Sequence, residues 1–425
     1  MKFNISINRL CGRKVNKKLN LIFKSAFLIT AFIFLGNFIA AQSGITDQVS
    51  KIFYWPAEQG TVAGEFSVRM AQTGVSLGVS GGKFTINGAP TFLLGVSFFD
   101  AINETAGNLD SDLQYLQNNH FNLIRVWADW SWQNNEENNN SSITNRNSTV
   151  YNTNATLNNR INELKNIIEK AATRGIVVEV VIEDTNPWFY ENGEDFNERL
   201  TAAREITTAL SSYQNVLFDI VNEHDHTGTA FFPASHNQAG LIADEIRSVD
   251  SDRIVTISST GRHIIDVNTR TAANETNMNE ELNVVGVDVL TPHFNRSNDW
   301  YSQIGNRVNL IKQYIGNNIP IYLNEEQAYP DDGTGSHFVD AATSAKNAGA
   351  AGWIFHARTT LDLKNGNSLQ SGLGNGGRTT LEQIGAAIGG GGSGGGCRYQ
   401  TISGNWSAAV RSDYKEYAIC DSAAS

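Results

Sequence analysis

Eight short apolar runs recur along the chain, and between them the hydrophobic spacing switches from continuous to helical. The runs are Phe92–Val96, Asn122–Trp127, Ile176–Ile182, Val216–Val221, Ile254–Ser258, Val284–Leu290, Ile319–Leu323 and Gly352–Phe355. A strand covered on both faces reads as an unbroken apolar run, whereas a half-solvated strand alternates. The intervening segments are amphipathic. Arg160–Arg174 places Ile161, Leu164, Ile167, Ile168 and Ala171 on one helical face and ends at Gly175. Leu109–Gln117, Glu198–Leu210, Ala239–Val249, Tyr301–Tyr314, Phe338–Ala348 and Thr379–Ile388 read likewise. Buried parallel strands alternating with covering helices, over residues 82–388, predict an α/β chain folded as a (β/α)8 TIM barrel. An open doubly wound sheet would place a glycine-rich phosphate turn after its first strand, and FFDAINET supplies none.

Other segments flank this repeat. Residues 1–41 carry seven basic and no acidic side chains, then an apolar run and Ala40-Ala41 before polar Gln42. That pattern predicts a signal peptide and a secreted, periplasmic or cell-surface protein. The same run left uncleaved would act as an anchor. Residues 42–81 read as a strand-rich leader, with Asn87-Gly88 just beyond it marking a hairpin turn. Asn134–Asn159 holds eleven asparagines and predicts a long loop on the top face. Gly389–Gly396 is a flexible linker to a short tail, residues 397–425. Cys397 and Cys420 are expected to form a disulfide that closes this tail.

Charge narrows the partners. Losing the basic N-terminus takes the formal charge from −11 to −18. Such acidity disfavours nucleic acid and anionic membrane surfaces. The expected mature protein is a soluble monomer with no cofactor.

Two glutamates carry the chemical reading. VLFDIVNEHD ends the fourth run with Asn222-Glu223, and IPIYLNEEQAY ends the seventh with Asn324-Glu325-Glu326. Catalytic residues of this barrel collect at the C-terminal ends of its strands. Two carboxylates facing each other there can cleave a glycosidic bond, one as proton donor and one as nucleophile or base. Period-two alternation lets only one of Glu325 and Glu326 face the mouth. Glu325 is preferred, and Glu326 is then expected at the surface or in support.

The motifs GKFTINGAPTFLLGVSFFD, NLIRVW, FDIVNEHD, TPHF and PIYLNE together resemble the clan A retaining glycoside hydrolases, closest in style to the cellulase family, glycoside hydrolase family 5. The resemblance implies Glu223 as acid/base and Glu325 as nucleophile in a double displacement. It implies Arg125 as the group positioning the nucleophile, Asn222 at the sugar 2-hydroxyl and His293 as the active-site histidine. Asn295 stands where the family usually has a tyrosine, and His356 where it has a platform tryptophan.

Aromatic residues at loop starts suggest a sugar cleft, because flat rings stack on pyranose faces. Trp130 and Trp188 are the preferred platforms. Trp300 and Tyr329 also follow strands, while Trp127 and Trp353 read as packing. His224-Asp225-His226 offers metal-ligand types, but neighbours on a strand face opposite ways, so these are expected as exposed loop residues without a metal. A structural calcium near Asp331-Asp332 stays open. The expected activity is hydrolysis of a β-linked polysaccharide, endo-acting in the manner of a β-glucanase or mannanase. An exo-β-glycosidase and a non-catalytic carbohydrate-binding barrel are the alternatives.

Overall fold

A computed structural model describes residues 74–99, 101–103, 106–128, 154–183, 196–225, 236–260, 270–294, 296, 299–358 and 368–389. The signal-like segment, most of the Asn-rich stretch, Trp130, Trp188, His226, Asn295, the glycine linker beyond Gly389, Cys397 and Cys420 lie outside the described residues.

Strands β1 (Leu77–Ser80), β2 (Lys83–Ile86) and β3 (Ala89–Thr91) form an antiparallel sheet. Its second turn is the expected Asn87-Gly88, with φ of 52° and 81°. Only residues tolerant of left-handed backbone fit such a turn.

The barrel strands follow as β4 (Leu93–Ser97), β5 (Leu123–Trp127), β6 (Val177–Glu183), β7 (Val216–Val221), β8 (Val255–Thr256), β9 (Ser258–Ser259), β10 (Thr291–Pro292), β11 (Tyr322–Leu323) and β12 (Gly352–Phe355). A parallel sheet runs β11-β12-β4-β5-β6-β7-β8. The fifth run continues past Ile257 as β9, which pairs with β10, and a bridge from Leu290 to Ile321 joins that strand to the seventh. All eight runs therefore complete one parallel ring.

The helices are α1 (Ala106–Asn118), α2 (Asn154–Ala172), α3 (Phe196–Leu210), α4 (His236–Val249), α5 (Ala272–Glu280), α6 (Trp300–Ile315), α7 (Gly335–Asn347) and α8 (Leu369–Gly389). Their buried stripes make one large core with the outward-facing strand residues, such as Ile124, Val178, Phe218, Leu323 and Trp353. Among the described residues no helix is long and apolar enough to cross a membrane.

Inside the ring a second apolar cluster takes one residue from each of the eight runs: Leu93, Leu123, Val177, Leu217, Ile254, Val289, Tyr322 and Ile354. Phe84 of the N-terminal hairpin joins that cluster. Two positions further along, the inward residues become polar: Arg125 after Leu123, Glu179 after Val177, Asp219 after Leu217, Asn324 after Tyr322 and His356 after Ile354. The period of two along a strand thus stacks a charged layer on an apolar floor.

The sixth run differs from its expected span. Glu281–Val285 is a turn of π-helix capped by left-handed Gly286, and the strand begins only around Leu290. The preceding α5 was not legible in the sequence because it has no apolar stripe. A capping box between Thr271 and Asn274 starts it, and Met278 and Asn274 are its buried residues.

Candidate active site

Arg125 organises the charged layer. It is fully buried, and its guanidinium donates to Glu179 (3.1 Å), to Asp219 (2.7 Å), to Asn222 (2.8 Å) and to Glu325 (2.8 Å). A guanidinium holds five donors in a rigid plane, so it can fix several acceptors at once where an ammonium could not. Glu179 also accepts from the Tyr322 hydroxyl and the Asn324 amide. Asp219 accepts from the Ser258 hydroxyl at 2.9 Å. Burial raises the Glu179 carboxyl to about 7 despite Arg125, and raises Asp219 as well.

Above this layer stand the two glutamates. Glu223 follows β7 with φ of 50°, a left-handed conformation that β-carbon sterics disfavour. That kink interrupts strand alternation, so Asn222 meets Arg125 while Glu223 meets His293 at 3.0 Å. Glu325 follows β11 and is held on both oxygens, by Arg125 and by Arg296 at 3.0 Å. Ligand atoms of Glu223, His293 and Glu325 all lie within 4.8 Å of one another. The Glu223 side chain is 19% exposed and that of Glu325 10%, so both reach the edge of solvent.

Burial alone would raise the Glu325 carboxyl. The neighbouring His356, His293, Arg125 and Arg296 override burial and hold it well below the usual carboxylate range. His356 is itself pushed down to about 3 by burial and by the two arginines, so at neutral pH the arginines and His293 do the holding. Burial disfavours charge on His293, but Glu325 and Glu223 outweigh it and raise its pKa. Asn324 gives its amide to Glu179 and turns its carbonyl oxygen to His293 Nε2 at 2.9 Å. That nitrogen must carry a proton, which leaves Nδ1 to share one with Glu223.

Of the residues expected from sequence, Arg125, Asn222, Glu223, His293, Glu325 and His356 converge here. His356 is buried, bonded through Nδ1 to Ser97 at 3.1 Å, with Nε2 3.8 Å from Glu325. Other expectations are corrected. Of the two alternatives for Glu326, surface or support, the surface one is excluded: it is 1% exposed, with Oε1 lacking a hydrogen-bond partner. His224 and Asp225 are buried rather than exposed, and Asp225 accepts from Ser259 and Thr260. Trp300 packs on Phe338 with its indole N–H on Asp332, and Tyr329 packs between Phe338 and Phe355. Neither presents a free face to a sugar. Asp332 serves Trp300, Thr334 and His337, and Asp331 pairs with Arg358. Trp127 lies in the barrel mouth, stacked on Phe99 at 4.0 Å above Arg125.

Sequence reasoning missed Arg296, Glu179 and Asp219. The last two did carry a signal: each is an acid set among apolar residues inside a strand, and Glu179 pairs in register with Arg125 on the neighbouring strand. Arg296 carried none beyond lying three residues after His293.

Paired carboxylates at the C-terminal mouth of an eight-stranded barrel, one on two guanidiniums and one on an imidazole, define the class of the glycoside hydrolases. Residues 80–356 match the model of the family described as Cellulase (glycosyl hydrolase family 5), and the chain belongs to that family. By sequence it matches none of the curated proteins it was compared with. Among solved structures it resembles the endo-1,4-β-mannanase of Rhizomucor miehei at 14% identity, over 74% of this chain and 99% of that one, with a TM-score of 0.51. The endo-β-1,4-mannanase of Thermotoga petrophila is similar at 13% identity, over 72% and 79%, with a TM-score of 0.50. A family 5 protein of Bacteroides vulgatus aligns at 16% identity over 68% of this chain, which spans 63% of that protein, with a TM-score of 0.48.

Proposed function

We propose that the protein is a secreted, retaining, endo-acting hydrolase of a β-linked polysaccharide. The observation that carries this reading is the Glu223–His293–Glu325 group, closed to within 4.8 Å. Retaining enzymes keep their carboxyl groups about 5–5.5 Å apart, whereas inverting ones leave about 6.5 Å or more for a water.

Glu325, kept ionised by its two arginines, attacks the anomeric carbon. Glu223 delivers the proton it shares with His293 Nδ1 to the leaving oxygen, and then takes a proton from the water that releases the sugar. Asn222 faces the sugar 2-hydroxyl, and Arg125 fixes the angle of the nucleophile. His356 shapes the floor beneath Glu325, and Trp130 and Trp188 serve as stacking platforms. Secretion rests on the basic-apolar N-terminus, and the monomeric state is part of the same proposal. The endo mode and the sugar are proposals too, and the two mannanases sharing the fold make β-mannan the first polymer to try.

The test is reducing-end release from β-mannan, β-glucan, xylan and galactan, with Glu223→Gln and Glu325→Gln beside wild type. Release from one polymer, lost in both variants, is expected. Binding without release from any polymer, unchanged in the variants, would instead mark a carbohydrate-binding barrel.

A further inference from the structure

A second convergence of ligand-type side chains lies behind Glu223. His224 follows β7, His236 opens α4, and Glu281 opens the π-helical turn after α5. One ligand atom from each lies within 4.8 Å of the others. The two imidazole centroids are 5.1 Å apart, and His224 Nε2 is 3.5 Å from Glu281 Oε1. His224 and Glu281 are buried, and the His236 side chain is 16% exposed.

We propose that His224, His236 and Glu281 form a binding site for a divalent transition-metal ion of the zinc type. Two imidazoles and one carboxylate are a donor set that zinc favours. Zinc at about 2.0–2.1 Å from each donor holds them roughly 3.3 Å apart in a tetrahedron. His224 Nε2 and Glu281 Oε1, 3.5 Å apart, already stand close to that spacing. His236 is already arranged as a ligand. Its Nδ1 is fixed on Glu280 at 2.9 Å, while its buried Nε2 has no hydrogen-bond partner. A carboxylate on the far nitrogen is the usual outer partner of a metal-bound imidazole, since it fixes ring and tautomer.

The backbone is also shaped for this meeting. A π-helical turn is rare and re-aims the side chains it carries. Gly240, one turn along α4 from His236, lets the two elements close up. A β-carbon there would stand 2.6 Å from the Val284 carbonyl oxygen. An ion at this site would tie the residue after Glu223 to two other elements, and so hold the left-handed kink that aims the acid.

The test uses the full chain, stripped with EDTA and titrated with zinc chloride. Calorimetry and metal analysis after desalting read the stoichiometry, and thermal unfolding reads the shift. One zinc per chain and a Tm rise on the order of 5 °C at about a hundredfold excess over Kd are expected. His236→Ala and the isosteric Glu281→Gln should weaken zinc binding at least tenfold, while Glu325→Gln should keep it. Cobalt(II) substitution should give a visible ligand-field spectrum that His236→Ala abolishes. No zinc bound by wild type, or zinc retained equally by His236→Ala, overturns the proposal and leaves a hydrogen-bonded His–Glu cluster. Loss in Glu325→Gln alone would place the ion between the two glutamates of the cleft and also overturn it. None of these results bears on hydrolysis by Glu223 and Glu325.

Discussion

Replacing Glu326 by glutamine should stabilise the protein increasingly as pH rises from about 4.5 through about 7. Burial is the dominant influence on this carboxyl and raises it from 4.5 to about 7, with His293, Arg307 and Arg296 opposing. A raised folded-state pKa favours folding fully below the unfolded value and loses that advantage as pH climbs through about 7. At about pH 8.5 the wild type carries a buried, under-bonded anion that costs about 3 kcal/mol, because each tenfold change in proton affinity is worth about 1.4 kcal/mol. Glutamine keeps the shape and the acceptor for the Phe294 N–H, and never ionises. Urea unfolding of both proteins at about pH 5 and about pH 8.5 measures the difference directly. The variant should match wild type within about 0.5 kcal/mol at the lower pH and exceed it by about 2–3 kcal/mol at the higher. Hydrolysis should survive, because the hydrogen bonds of Arg125 and Arg296 go to Glu325. An equal difference at both pH values would refute the assignment of Glu326 as a buried acid. So would loss of activity.

The remaining expectations concern the site itself. Glu223→Gln should lower kcat by about 10²–10⁴, the usual worth of a positioned acid/base, with KM little changed in steady-state assays. Arg296→Met removes one of two guanidiniums from Glu325, so the acidic limb of the kcat/KM profile should move to higher pH, the direction in which the nucleophile's pKa rises. Arg125→Ala leaves Glu179 and Asp219 buried without their cation and should cost about 3–5 kcal/mol in denaturant unfolding. That cost should be smaller at about pH 5 than at about pH 8.5, because carboxyls with raised pKa values can take up protons there.

The barrel was legible because its physics is written in period. Continuous runs such as IVVEVVI admit only doubly covered strands, and the stripe Ile161–Ala171 admits only a helix packed on one face. Where period vanished, the reading failed. The polar helix Ala272–Glu280 rests on its caps, and the π-turn Glu281–Val285 occupies part of what read as a strand. The two glutamates were legible from their position at strand ends. Alternation chose between Glu325 and Glu326 but left open whether Glu326 lies at the surface or in support, since β11 stops at Leu323. Beyond that point Asn324 and Glu325 both face the cleft, and Glu326 turns into the protein. The cluster of His224 with His236 and Glu281 unites residues up to 57 positions apart. Only packing of α4 against the π-turn brings them together.

The central claim is a double displacement carried out by Glu325 and Glu223. Proton NMR of the sugar released in the first minutes of hydrolysis tests it most directly, on whichever polymer the enzyme cleaves. The β-anomer should appear first and then mutarotate, with no product from Glu325→Gln. The α-anomer appearing first, or undiminished product from Glu325→Gln, would contradict the account.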